Sequence, residues 1–218
     1  MATTLVIGNK NYSSWSLRPW LLLRHFGVPF AEILLPLDTP EFHERIVLLS
    51  PSRRVPALHD EDLVVWDSLA ICEYANERWL GGRGWPQDLA TRALARSAAA
   101  EMHSGFAALR GQLPMNLRRR PRERHWDEAA QRDIDRVQAL WAGLRARAGG
   151  GDFLCGDFGI VDAMFAPVAS RFRTYGVELP PLSRAYVATA LADPQFLAWE
   201  AAAQHEAEME CSEVGMVI

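Results

Sequence analysis

Two serines, Ser13 and Ser14, stand in the segment Asn11-Tyr12-Ser13-Ser14-Trp15-Ser16-Leu17-Arg18-Pro19. A hydroxyl donates and accepts at once, so a pair of them ahead of a helix can hold a ligand or cap the helix. Two further segments carry groups of similar use. Arg54-Val55-Pro56 puts a proline at the start of a strand pattern, where a cis peptide would expose backbone to a ligand. Val65-Trp66-Asp67-Ser68 leads from a strand into a helix, and its Asp-Ser pair can cap that helix or frame a nest of N–H groups suited to a carboxylate.

The elements that must position these groups follow from periodicity. Thr3–Gly8 is a short β-branched run that ends in glycine, and Leu17, Trp20, Leu21 and Leu23 then trace a helix stopped by Gly27. Pro19 has no N–H and is tolerated in a first turn, which makes Ser16 the expected N-cap, Leu17 the first helical residue and Pro19 the third. Ser13 and Ser14 are then left in the loop. Phe30–Leu35 reads as a strand, Pro40–Leu49 as a helix, Val55–His59 and Leu63–Trp66 as a hairpin, and Asp67–Leu80 as a helix. The acidic trio Asp60-Glu61-Asp62 between the hairpin strands reads as a solvated turn.

The resulting order, β-α-β-α-β-β-α, describes a compact α/β unit over residues 1–80 with a hairpin at one edge of a mixed sheet. Gly81-Gly82-Arg83-Gly84-Trp85-Pro86 concentrates chain breakers, so 81–88 reads as a linker. Residues 89–218 show no strand pattern. Leu94, Ala98, Met102, Phe106 and Leu109 share one helical face, as do Ile134, Val137, Trp141 and Leu144; Gly149-Gly150-Gly151 breaks the run before helices at Val161–Phe172 and Pro194–Ala203. This second part is expected to be all helix.

Composition narrows the function. The 218 residues are 49% hydrophobic and 23% charged, with 27 acids against 23 bases and a net charge of -4. That balance gives no basic excess for nucleic acid, and no apolar run approaches the ~20 residues of a membrane span. The start Met1-Ala2-Thr3-Thr4 lacks the charged opening of a secretory signal, so a cytoplasmic location is expected. Cys72, Cys155 and Cys211 are odd in number and far apart, which suits reduced, buried thiols. The six histidines show no metal-binding spacing, so no metal is expected. The run Arg118-Arg119-Arg120, with Arg122 and Arg124, reads as a solvated or helix-end cluster.

Three motifs, S-S-x-S-x-R at Ser13–Arg18, R-V-P-A-L at Arg54–Leu58 and W-D-S-x-A-I-x-x-Y at Trp66–Tyr74, together resemble the glutathione transferase superfamily across essentially the whole chain. The first is similar to the serine motif of the zeta class, which includes maleylacetoacetate isomerases, and to bacterial members carrying N-Y-S-S-W-S. The resemblance implies a thioredoxin-like N-terminal domain and an all-α C-terminal domain, a homodimer, and glutathione as co-substrate.

By the same resemblance Ser13, with Ser14 as near rival, would donate to the glutathione sulfur, and Trp15 would wall the thiol site. Val55 would pair its backbone with the cysteinyl part beside a cis Pro56; Asp67 and Ser68 would hold the γ-glutamyl end, and Arg54 the glycyl carboxylate. Met102, Phe106 and Met115 would line the pocket for a small hydrophobic electrophile. Trp15 stands where the zeta motif has cysteine, so thiol chemistry by the protein itself is not carried over. Gly159-Ile160-Val161-Asp162 resembles the family's capping box with glycine in place of the hydroxyl. A zeta-type arginine for a substrate carboxylate would fall near Arg171 and Arg173, though neither matches its offset. The expected activity is thiol activation for attack on an electrophile; a zeta-like isomerase and a non-catalytic glutathione-binding module are the alternatives.

Overall fold

The computed structural model describes residues 3–121 and 125–206. Cys211, Arg122 and Arg124, along with Met1 and Ala2, lie outside the described residues.

The first part alternates β1 (Thr4–Gly8), α1 (Ser14–His25), β2 (Ala31–Leu35), α2 (Pro40–Leu49), β3 (Ala57–Asp60), β4 (Leu63–Trp66) and α3 (Ser68–Arg78). The strands form one mixed sheet in the order β2-β1-β3-β4, with β1 parallel to β2 and the other pairs antiparallel. Leu5 and Ile7 point to one face of this sheet and Val6 to the other, and all three are fully buried. The alternation of strand side chains therefore feeds two cores: Leu5 and Ile7 join α1, α3 and the helical part, whereas Val6 packs with Phe42 and Ile46 of α2.

The second part is built from α4 (Leu89–Ser104), α5 (Ala107–Gln112), α6 (Glu128–Ala148), α7 (Ile160–Tyr175), α8 (Pro181–Ala192) and α9 (Pro194–Gln204). Helix α7 is buried along nearly its whole length and packs against α1, α4 and α8. One apolar cluster runs without a break from Leu5 and Leu21 through Met164 and Phe165 to Trp199. The two parts thus share a core, and the burial of α7 explains its scarcity of charge.

Four expectations are corrected. The N-cap of α1 is Ser13, not Ser16, and its hydroxyl accepts from the Ser16 N–H. Pro19 consequently lies beyond the first turn, where the helix simply does without the N–H it lacks. The single helix expected through Leu109 breaks at Gly105 and Phe106, the latter at φ +60° in the left-handed region, and restarts as α5. Helix α8, which begins after Pro180, had no expected counterpart. Asp60 is not a solvated turn residue: it is 8% exposed and accepts from Thr3 Oγ1, Tyr74 Oη and Arg78 Nε.

Candidate functional site

Residues from three loops meet at the N-termini of α1 and α3. Ser13 Oγ donates to Ser16 Oγ at 2.8 Å while accepting from the Ser16 N–H, and Ser16 Oγ in turn accepts from the Gly8 N–H. The Ser13 hydroxyl is therefore engaged in holding the strand-to-helix turn. Ser14, the first residue of α1, is equally buried, but its hydroxyl makes no hydrogen bond among the described residues.

The loop ahead of the serines is tied down from far along the chain. Glu206 accepts from the backbone N–H groups of Lys10 and Asn11 at 2.6 and 3.0 Å, and Trp199 Nε1 donates to the Lys10 carbonyl. Arg118 Nη1 donates to the Glu206 carbonyl and Arg119 Nη1 to Tyr175 Oη, while Arg119 and Arg120 stay exposed, so the run is solvated as expected but Arg118 and Arg119 also tie it to later segments.

The Val55–Pro56 peptide is cis. Val55 is buried and precedes β3, and among the described residues its backbone makes no hydrogen bond to other backbone groups. Arg54, beside it, is exposed and free of ion pairs among the described residues. The pairing of Ala57 with Trp66 sets this segment next to the Asp67–Ser68 turn.

Asp67 is the N-cap of α3 at φ +75°, and its Oδ1 accepts from the N–H groups of Leu69 and Ala70. Of the two readings open for this pair, capping is thus realised. Asp67 Oδ2 lies 3.0 Å from Nε2 of His103 on α4. Burial opposes ionisation of Asp67, but the hydrogen bonds from His103, Ala70 and Leu69 outweigh it and hold the carboxyl below its ordinary range. Ser68 is 1% exposed and accepts from Arg18 Nη1 at 3.3 Å.

Trp15 joins these pieces. The guanidiniums of Arg18 and Arg110 lie over its ring, 4.2 and 4.6 Å from the centroid, and His103 meets it edge-on. The serine loop is thereby adjacent to Asp67 through Trp15 and His103, and to Ser68 through Arg18. Met102, Phe106 and Met115 are buried members of the shared apolar core. His103, Arg110 and the clamp at Glu206 went unrecognised in the sequence, and Arg18 was legible only as a motif letter, because their partners are distant in the chain.

The two described thiols, Cys72 and Cys155, are not poised for reaction. Burial pushes the Cys155 thiol up to about 12 and raises that of Cys72 as well. Among the described residues no cluster of His, Cys, Asp or Glu is placed to hold a metal, and no helix is long and apolar enough to cross a membrane.

Comparison with known proteins finds the family models for the glutathione S-transferase N-terminal domain over residues 12–78 and C-terminal domain over residues 127–202. The rat protein named maleylacetoacetate isomerase is 29% identical over 175 residues, 79% of each chain. Glutathione S-transferase GstB of Escherichia coli K12 is 26% identical over 181 residues, 81% of this chain and 87% of its own. Among solved structures, a glutathione transferase homolog from Burkholderia GL BGR1 with bound glutathione superposes with a TM-score of 0.72 at 25% identity, covering 94% of this chain and 99% of that one.

Proposed function

The chain belongs to the glutathione S-transferase superfamily, with similarity to its zeta class, and from that premise we propose that it binds glutathione at the Ser13–Trp15, Arg54–Pro56 and Asp67–Ser68 segments and activates the thiol for attack on a small electrophile. The observation that carries the reading is the convergence of an unengaged Ser14 hydroxyl, an unpaired Val55 backbone and the Asp67–Ser68 turn at one corner of the sheet. In this reading residues 1–80 bring the glutathione contacts and residues 89–218 the electrophile side, with Met102, Phe106 and Met115 behind it.

Glutathione's thiol, with a pKa near about 8.5, is only a few per cent thiolate at neutral pH. Lowering that pKa by two units requires about 2.7 kcal/mol of preference for the thiolate. One hydroxyl hydrogen bond to the charged sulfur and the positive end of α1 together supply roughly this amount. Ser14 is the readier donor, since the Ser13 proton already serves Ser16. The thiol proton leaves to solvent and the sulfur forms a bond to the electrophilic carbon; in displacement the bond to the leaving group breaks and its electron pair departs with that group, and in addition the π bond of an activated double bond breaks, its electron pair moving to the adjacent atom, which takes up a proton from solvent. Val55, through its N–H and C=O, would hold the cysteinyl backbone; Asp67 and Ser68 would take the γ-glutamyl end and Arg54 the glycyl carboxylate.

A zeta-like isomerisation is the second reading, supported by the similarity to the rat isomerase; the glutathione thiolate would serve it equally, with Trp15 in place of the zeta cysteine. Calorimetric titration of glutathione into the wild type and into an Asp67→Ala, Ser68→Ala variant tests the site. Binding by the wild type and its loss in the variant are expected; no binding by the wild type overturns the reading.

A further inference from the structure

A cavity of about 980 Å³ shares no lining residue with the three segments proposed to hold glutathione. Its walls come from the end of α1, the 83–88 segment that leads into α4, the last turn of α6, the loop at 155–159 and the first turn of α7. The volume lies within the roughly 300–1,000 Å³ of small-molecule sites. Phe26 and Phe158, with ring centroids 6.3 Å apart, supply apolar surface. Phe158 is held by a stack on His25 at 3.9 Å, and His25 Nδ1 lies 2.7 Å from Asp193 Oδ2, so this aromatic surface is built before any ligand arrives.

Two cations and two acids line the same cavity: Arg83, Arg147, Asp88 and Asp157. Arg147 and Asp88 already face each other. Arg147 Nη2 lies 3.6 Å from Asp88 Oδ2, which also accepts from the N–H and the hydroxyl of Thr91. Arg83 and Asp157 have no such match. Arg83 is oriented by Nε, which donates to the Leu80 carbonyl, and by the Phe26 ring, whose centroid is 5.6 Å from its guanidinium carbon. Its Nη1 and Nη2 have no partner among the described residues. The Asp157 carboxylate is exposed and equally without an ion pair or hydrogen bond among those residues.

This charge balance selects the ligand. An anion attracted by Arg83 is repelled by Asp157 and Asp88, and a cation drawn to Asp157 is repelled by the two arginines. A molecule that carries both signs gains from both unmatched groups. We propose that the cavity binds a small zwitterion with an apolar body, of the size and chemistry of a dipeptide with free ends. Its carboxylate takes the Nη1 and Nη2 edge of Arg83, its ammonium the Asp157 carboxylate, and its side chains the rings of Phe26 and Phe158. The site stands independently of the glutathione reading.

Calorimetric titration of leucyl-phenylalanine, both ends free, into the full chain tests this. A Kd below about 1 mM is expected. Amidation of its C-terminus or acetylation of its N-terminus should each weaken binding about tenfold, the effect of one charge-assisted contact. Arg83→Gln should weaken the free dipeptide about as much and leave the amide unaffected; Asp157→Asn should do the same for the acetylated form. Both residues are exposed, so both variants are expected to keep the wild-type unfolding midpoint. Binding should also survive in the Asp67→Ala, Ser68→Ala variant, which separates this cavity from the glutathione corner. No binding at about 5 mM dipeptide, an affinity indifferent to the blocked ends or to Arg83→Gln, or loss of binding in the Asp67→Ala, Ser68→Ala variant would each overturn the proposal.

Discussion

Ser13 and Ser14 differ in what they already do. Ser13→Ala removes the α1 cap and should destabilise the fold by about 1 kcal/mol, whereas Ser14→Ala should leave stability unchanged but depress glutathione-dependent turnover the more strongly. Chemical denaturation and conjugation rates on the two single variants check this, and full activity in Ser14→Ala would return the thiol contact to Ser13. Asp67 offers a pH test. Its carboxyl is held low, so the pairing with His103 stabilises the fold above the ordinary carboxylate pKa near about 4 and fades as pH falls through the lowered value. Both partners are partly exposed, which limits the gain to about 0.5–1 kcal/mol. His103→Ala should therefore unfold below wild type at pH 5.5, with the gap closing as pH falls through the lowered carboxyl value; a gap that persists once that carboxyl is protonated would mean His103 acts by packing. At this scale the sequence was half legible: Asp67 was recognisable as a cap, but nothing local announces His103 as its partner.

At the scale of elements, α7 shows why a departure from a motif can be informative. Asp162 accepts from the N–H groups of Gly159 and Leu154, so the reach-back expected of it is present although Gly159 has no hydroxyl to return. The glycine is required by a neighbour: a Cβ at 159 would lie 2.8 Å from the Gly84 carbonyl oxygen, and Gly84 O accepts from the Ile160 N–H. Gly159→Ser should accordingly destabilise by about 1–3 kcal/mol despite restoring the usual capping residue, as measured by denaturant midpoint; a more stable variant would show that the backbone yields freely. The strands and helices of the first eighty residues were readable because alternation and glycine stops are local signals. The break at Gly105 was not, since Leu109 keeps the apolar spacing of α4 across it, and α8 was hidden behind paired prolines.

For the molecule as a whole, the site is assembled by contacts that no window of sequence contains. The fold order was legible, whereas the clamp of Glu206 on Lys10 and Asn11 spans 196 residues in the first case and 195 in the second. Glu206→Ala should loosen the serine loop and raise the KM for glutathione by a factor of about 5–30, the equivalent of 1–2 kcal/mol of lost ordering, with little change in midpoint; an unchanged KM would show that the other ties, Trp199 on Lys10 and Asn116, Leu117 and Arg118 on Asn11, hold the loop without it. This clamp also bears on synthesis. A chain emerging from the ribosome can pair its sheet and wind α1 early, since those contacts are short-range, but Lys10 and Asn11 must wait for a carboxylate translated 196 residues after the first of them. The proposed glutathione corner is then the last part of the N-terminal unit to mature, and a nascent or truncated chain can be well folded there with its serine loop still unclamped.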